Sequence, residues 1–193
     1  MSKIAIKGAD TGTGVFTLES PATNTDRTLV LPDEAGTVLT SASSILDVGK
    51  VLQIVTASTI LRTICNTTSY VGTDLSVTIT KQKNDSKVLI LTSAFVMAYS
   101  ASNGDAIGGG RIYETQSSRE VFDFRRIVRS YDAADVNVAG ATHGLTCVDA
   151  VSGTGIRTYR FDIKEFGGSG DIRFNLDSDG DCESTITVLE IAA

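Results

Sequence analysis

Along most of this chain apolar residues recur at every second position, and that spacing commits it to strands. Leu75, Val77 and Ile79 alternate with Ser76, Thr78 and Thr80, and Tyr159, Phe161 and Ile163 with Thr158, Arg160 and Asp162. Ile172, Phe174 and Leu176 alternate in the same way with Arg173 and Asn175. Successive side chains on a strand point to opposite faces, so each of these segments has one dry face and one wet one. No stretch carries a sustained helical stripe; a short helix over residues 43–47 is the most the pattern allows. With 18 glycines and two prolines as punctuation, the expected fold is all-β, an antiparallel β-sandwich or jelly-roll-like domain over residues 49–193.

Residues 1–48 read as a separate β-arm. Short strands over residues 14–19, 27–31 and 37–40 are divided by polar turns, and Pro32 ends the second because it cannot donate to a ladder. The arm's apolar positions, chiefly Phe16, Leu18, Leu29, Leu31, Val38 and Leu39, are too few to close a core. A unit this small needs a staple or an oligomer. The cysteines, Cys65, Cys147 and Cys182, all lie outside it and form no CxxC pair. They read as buried free thiols, so the arm is expected to bury itself against other chains.

Residues 88–99 break the alternation. Val88-Leu89-Ile90-Leu91 and then Ala94-Phe95-Val96-Met97-Ala98-Tyr99 are apolar on both parities. An antiparallel sandwich normally leaves one face of each strand wet. A second dry face must meet another layer or another subunit, and a subunit interface that includes Phe95 and Met97 is the preferred reading.

Two stretches carry a family resemblance. Val15-Phe16-Thr17-Leu18-Glu19-Ser20-Pro21-Ala22, then Asn24-Thr25-Asp26-Arg27-Thr28-Leu29-Val30-Leu31-Pro32-Asp33 and Ala35-Gly36-Thr37-Val38-Leu39-Thr40-Ser41, resemble a module widespread in surface proteins of tailed bacteriophages. Residues 74–80, 86–91 and 185–191 are similar to a small β-sandwich at the C-terminus of phage fibre-like proteins. The resemblance implies a virion surface protein of the tail-fibre or decoration type. It implies a homotrimer whose N-terminal strands interlace about a three-fold axis. The chain starts almost at the module, with no anchoring domain or shaft ahead of it. That favours a capsid decoration or cement protein, bound to the major capsid protein or other virion proteins. The alternative is a tail-fibre or receptor-binding component that contacts a host surface glycan.

Charge and composition exclude several other classes. The net charge is −6, the wrong sign for a general nucleic-acid binder. No apolar run is long enough to span a bilayer. The basic N-terminus lacks a following apolar segment, so synthesis in the host cytoplasm without a signal peptide is expected. His143, the single histidine, has no neighbouring nucleophile and acid in sequence and reads as a hydrogen-bonded or interface residue. The glycine runs 108–110 and 167–170 lack the phosphate-binding pattern and read as turns. Neither an enzyme nor a cofactor is expected.

Two charged clusters remain. Asp177, Asp179 and Asp181 offer alternating oxygens as candidate calcium ligands, but Gly180 precedes the third acid and no glutamate follows at the twelfth position. A polar hairpin turn at Asp179-Gly180 is the competing reading. Arg119, Arg125, Arg126 and Arg129 form the chain's basic cluster. They either contact an acidic surface or neutralise local carboxylates, and their joint removal is expected to leave the fold intact.

Overall fold

The computed structural model describes residues 48–100, 104–132, 137–176 and 182–193, with isolated positions between residues 11 and 28. The chain divides into two units, Met1–Val38 and Leu39–Ala193, and the fold described below belongs to the second. The three N-terminal strands, the short helix and Phe16, Leu18, Leu29, Leu31, Val38 and Leu39 lie outside the described residues. Asp177, Asp179 and Asp181 do too.

Ten strands follow one another: β1 (Val51–Thr59), β2 (Thr63–Cys65), β3 (Val71–Lys81), β4 (Lys87–Ser100), β5 (Gly104–Glu114), β6 (Arg119–Asp132), β7 (Asn137–Asp149), β8 (Gly155–Gly168), β9 (Asp171–Phe174) and β10 (Ser184–Ile191). Sheet one runs β1-β10-β4-β9-β2, with β7 also paired to β4, and sheet two runs β3-β8-β5-β6. Every pairing is antiparallel. Along β4, β10 covers Lys87 to Ser93 and β9 covers Val96 to Tyr99, so the two lie end to end on one flank. β1 and β2 continue that arrangement beyond them, while β7 covers the other flank of β4. Counting β1 with β2 and β9 with β10 as single interrupted strands leaves eight. Their order is first-eighth-third-sixth in sheet one and second-seventh-fourth-fifth in sheet two. Two sheets in this order are a jelly roll.

Asn175 explains the interruption. Alternation in the sequence extends β9 to Leu176, yet the strand stops at Phe174 because Asn175 adopts a left-handed backbone, φ 56°. Asparagine tolerates that region better than most residues. Its amide donates to the carbonyls of Thr59 and Leu61, at 3.1 and 3.2 Å, and its side-chain oxygen accepts from Ser184 Oγ at 2.6 Å. Ser184 Oγ in turn accepts from Phe95 N. One buried side chain thus stitches both broken strands to β4. The flanking strands β9 and β10 pair with β4 and not with each other, and the hairpin turn expected at Asp179-Gly180 lies outside the described residues.

Alternation is otherwise kept. Leu75, Val77 and Ile79 of β3 and Tyr159, Phe161 and Ile163 of β8 line the inner side of sheet two, and Ile90, Val96, Ile172, Phe174, Ile186 and Val188 fill the other side of one core. The Phe161 and Phe174 rings meet across the sheets with centroids 5.9 Å apart. Burying each such side chain stabilises the fold by about 1.5–3 kcal/mol. The glycine run 108–110 is no turn: it lies inside β5. A Cβ on Gly110 would sit 2.4 Å from Phe161 Cζ and 2.8 Å from the Asp162 carbonyl. Close packing of the two neighbours, rather than chain reversal, requires glycine there. Residues 169 and 170 do form a bend between β8 and β9.

Buried carboxylates clasp one end of the sandwich. Glu114, Asp149 and Glu190 are each nearly or fully inaccessible. Glu114 accepts the N–H groups of Gln116 and Ser117 in the β5–β6 turn. Asp149 accepts from Val151 N after β7 and from the buried Tyr159 hydroxyl. Glu190 accepts from Gln82 N, Lys83 N and Ser86 Oγ in the β3–β4 turn, and from Gln53. Such charge-assisted bonds satisfy turn donors that would otherwise be stranded. Cys65 and Cys147 are buried free thiols as expected, whereas Cys182 is only partly covered.

Candidate interaction surfaces

Across the middle of β1, β10, β4 and β7 the outer face of sheet one carries no charge, its charged residues being Lys87 at the start of β4 and the Arg173–Asp171 pair on β9. Direct cross-strand partners form rows over it: Ile54, Leu189, Leu89 and Val148, then Thr56, Thr187, Leu91 and Thr146, then Ser58, Thr185, Ser93 and Gly144. Phe95 and Thr142 follow. None of these residues is ionisable. Ile54, Leu91 and Val148 are 61%, 39% and 53% exposed. Around Leu91, Ser93 and Gly144 the small side chains leave a shallow trough. Residues 88–99 are therefore apolar on both faces because one faces the core and the other faces outward from sheet one.

The two residues singled out on this strand differ. Met97 is buried within the chain, at 4% exposure, in register with Gly140 and Arg173. The missing side chain at Gly140 makes room for the Phe95 ring: a Cβ there would lie 2.8 Å from Phe95 Cζ. Phe95 is half-buried. The exposed apolar surface belongs instead to Leu91, Ile54 and Val148. Leu91 was visible in the two-faced run; Ile54 and Val148 needed the register to bring them alongside.

The basic cluster is dispersed along β6 and largely neutralised. Arg119 donates to Asp149 at 2.6 Å, Arg125 to Asp123 at 2.6 Å, and Arg129 to Asp105 at 2.8 Å. Arg126 is exposed and holds a left-handed backbone, φ 56°. Of the two readings of the cluster, local neutralisation fits these pairs. Arg119 also belongs to the clasped end, because its partner is buried.

Sheet two carries a denser network on its outer face. The Arg111 guanidinium lies 4.1 Å from the Tyr70 ring centroid and 4.2 Å from that of Tyr113. Asp162, buried, is forked by Arg111 at 3.0 Å and Arg160 at 2.6 Å. Tyr70 donates to Asp123 at 2.7 Å, and burial, followed by that bond, pushes its hydroxyl well above the ordinary range. Lys164 stands over the Tyr70 and Phe166 rings. The sequence hid this cluster because its members come from four separate segments; the alternating Arg160 and Asp162 were its one visible trace.

Ligand-bearing chemistry is sparse. Among the described residues no three His, Cys, Asp or Glu side chains gather as a metal site. His143 Nε2 is buried without a partner among them, and burial holds the imidazole below its usual pKa. Among the described residues no helix is long and apolar enough to cross a membrane.

No family model matches the chain, and no curated protein matches it. Solved structures similar to it include the Gx strain of infectious bursal disease virus, at 13% identity over 74% of this chain and 39% of that one, TM-score 0.30. The Gt strain gives 10% identity over 74% and 37%, also with TM-score 0.30. The VP2 subviral particle of the same virus gives 12% over 73% and 37%, again 0.30. The chain thus spans under two fifths of the length of these structures. A likeness of this size is silent on function.

Proposed function

We propose that the chain is a non-enzymatic structural protein of a tailed-phage virion, a homotrimer on the particle surface that serves as a capsid decoration or cement protein. The observation that carries the assembly reading is the uncharged part of the outer face of sheet one across β1, β10, β4 and β7, with Ile54, Leu91 and Val148 exposed on it. In a chain with 21% charged residues, an uncharged, partly apolar sheet face marks a contact with protein. The phage setting is supported by the resemblance of residues 15–41 to the tailed-phage module. A glycan-reading fibre would use open aromatic faces. Tyr70 and Tyr113 already stack on Arg111, while Phe122 is 48% exposed; the preference for decoration over the receptor-binding alternative rests on the sheet-one face.

Light scattering on the purified full chain tests the trimer. The expected mass is three chains of 20.3 kDa each; a single chain mass at all concentrations overturns it.

A further inference from the structure

β7 pairs with β4 along one flank in unbroken register, and on its other side it lies beside β6, the edge strand of sheet two. Among the described residues no backbone ladder joins β6 to β7, so side chains alone close this seam. Those that β7 supplies are mostly small. Ala139, Ala141 and His143 share the inward parity of Leu145 and the buried Cys147. The register partner of His143 on β4 is Ala94, which is fully buried. Across from them Ile127, Val128 and Arg129 of β6 line one cleft together with Ala139, Gly140, Ala141 and His143.

The imidazole is the largest group that residues 139–143 bring to this cleft. Its Nε2 is shut off from solvent and has no partner among the described residues. Leaving a neutral nitrogen in that state is unfavourable, and leaving a cation there is more so. The surrounding elements do not offset such a charge. β4 turns no ionisable side chain inward, since Lys87 and Tyr99 share the outward parity of Leu89 and Leu91. On β7 the inward Cys147 and Asp149 lie further along, and Asp149 is already held by Arg119 and the Tyr159 hydroxyl. β6 brings Arg129, a like charge, whose partner is Asp105 of β5. The neighbouring Arg125 pairs with Asp123, and Arg126 is exposed.

We propose that His143 is an acid-sensitive latch on the β6–β7 seam: neutral, it fills the cleft, and protonated, it leaves for water and the two edge strands part. The latch belongs to the single chain, goes beyond the virion reading and does not rest on it. In the unfolded chain the imidazole protonates at its ordinary 6.5, whereas burial in the closed seam holds it lower. The seam is therefore at full strength above 6.5 and weakens as pH falls from there through the folded value. One proton is taken up, so the open fraction should rise by up to about tenfold per pH unit within that window.

His143 is the chain's single histidine, so an NMR titration of the full chain reads its imidazole signals without overlap from another. The expected midpoint lies below 6.5; a midpoint at or above that value overturns the proposal. Hydrogen exchange followed by mass spectrometry, corrected for the intrinsic pH dependence of exchange, is then compared at about pH 7.5 and about pH 5.5. Peptides from β6 and β7 should exchange several-fold to about tenfold faster at the lower pH, while those from β3 keep their protection. His143→Gln, whose side chain takes up no proton, should protect the seam equally at both pH values. Seam exchange that is unchanged by acid in the wild type overturns the proposal, as does an equal quickening in His143→Gln or in β3. If His143→Gln does not fold, the wild-type titration and exchange decide the matter by themselves.

Discussion

The carboxylate of Glu190, near the end of the chain, accepts the main-chain N–H of Lys83 at 3.0 Å. The bond closes the clasp between β10 and the β3–β4 turn, and Gln82 N, Ser86 Oγ and Gln53 complete the shell. Burial by itself would raise the pKa of this acid, but those hydrogen bonds outweigh it and hold the pKa below the ordinary glutamate value of 4.5. The folded state therefore binds this proton less readily than the unfolded chain does. Its stabilising contribution is full above the unfolded value and fades as pH falls through the folded one. Denaturant melts from pH 7 down to 3 should show stability lost on the acid side. Glu190→Gln should be less stable at pH 7 by about 1–3 kcal/mol and should lack that part of the acid dependence.

Leu91 and Val148 test the outer face of sheet one. Both are exposed, so Leu91→Lys with Val148→Lys should change the stability of a single chain by less than about 1 kcal/mol. The same pair should weaken self-association at least tenfold in a dilution series followed by light scattering. An unchanged mass profile would leave these residues as ordinary surface.

The arginines of β6 separate into two kinds. Removing Arg125, Arg126 and Arg129 together should leave the melting temperature nearly unchanged, since exposed ion pairs contribute little. Arg119→Ala leaves the buried Asp149 with one charged partner fewer and should cost about 1–3 kcal/mol. Among the four arginines whose joint removal is expected to leave the fold intact, Arg119 is the one whose loss should cost measurable stability. Thermal melts of the triple and single variants provide the comparison.

Gly110 and Gly144 form a matched pair for glycine. Gly110→Ala drives a methyl group into Phe161 and the Asp162 carbonyl and should destabilise by about 1–3 kcal/mol. Gly144→Ala enters open space and should be neutral or slightly stabilising, because it restricts the unfolded chain. Equal melting temperatures for the two variants would contradict the packing described around β5.

These positions show where the sequence was legible. Period-two alternation located the strands around Leu75, Phe161 and Phe174 because it records which face is dry, a local property. It misread glycines 108–110 because their neighbours, Phe161 and Ile172, arrive from distant strands. It carried β9 on to Leu176, since nothing in apolar spacing reveals that Asn175 bonds Thr59, Leu61 and Ser184. The two-faced run at residues 88–99 did announce an outward apolar surface. Which residues share it depended on register, and register placed Ile54 and Val148 there while burying Met97.

The central claim is a structural role on the particle surface, and labelling intact particles tests it most directly. On the proposed function, the chain is carried on phage particles, and Fab fragments raised against the 49–193 sandwich should bind purified virions that contain it. Electron cryomicroscopy should then show Fab density in clusters of three across the capsid shell. Density confined to the tail would contradict decoration and leave the fibre reading. Virions that bind no Fab and contain none of the chain by mass spectrometry would contradict the whole account.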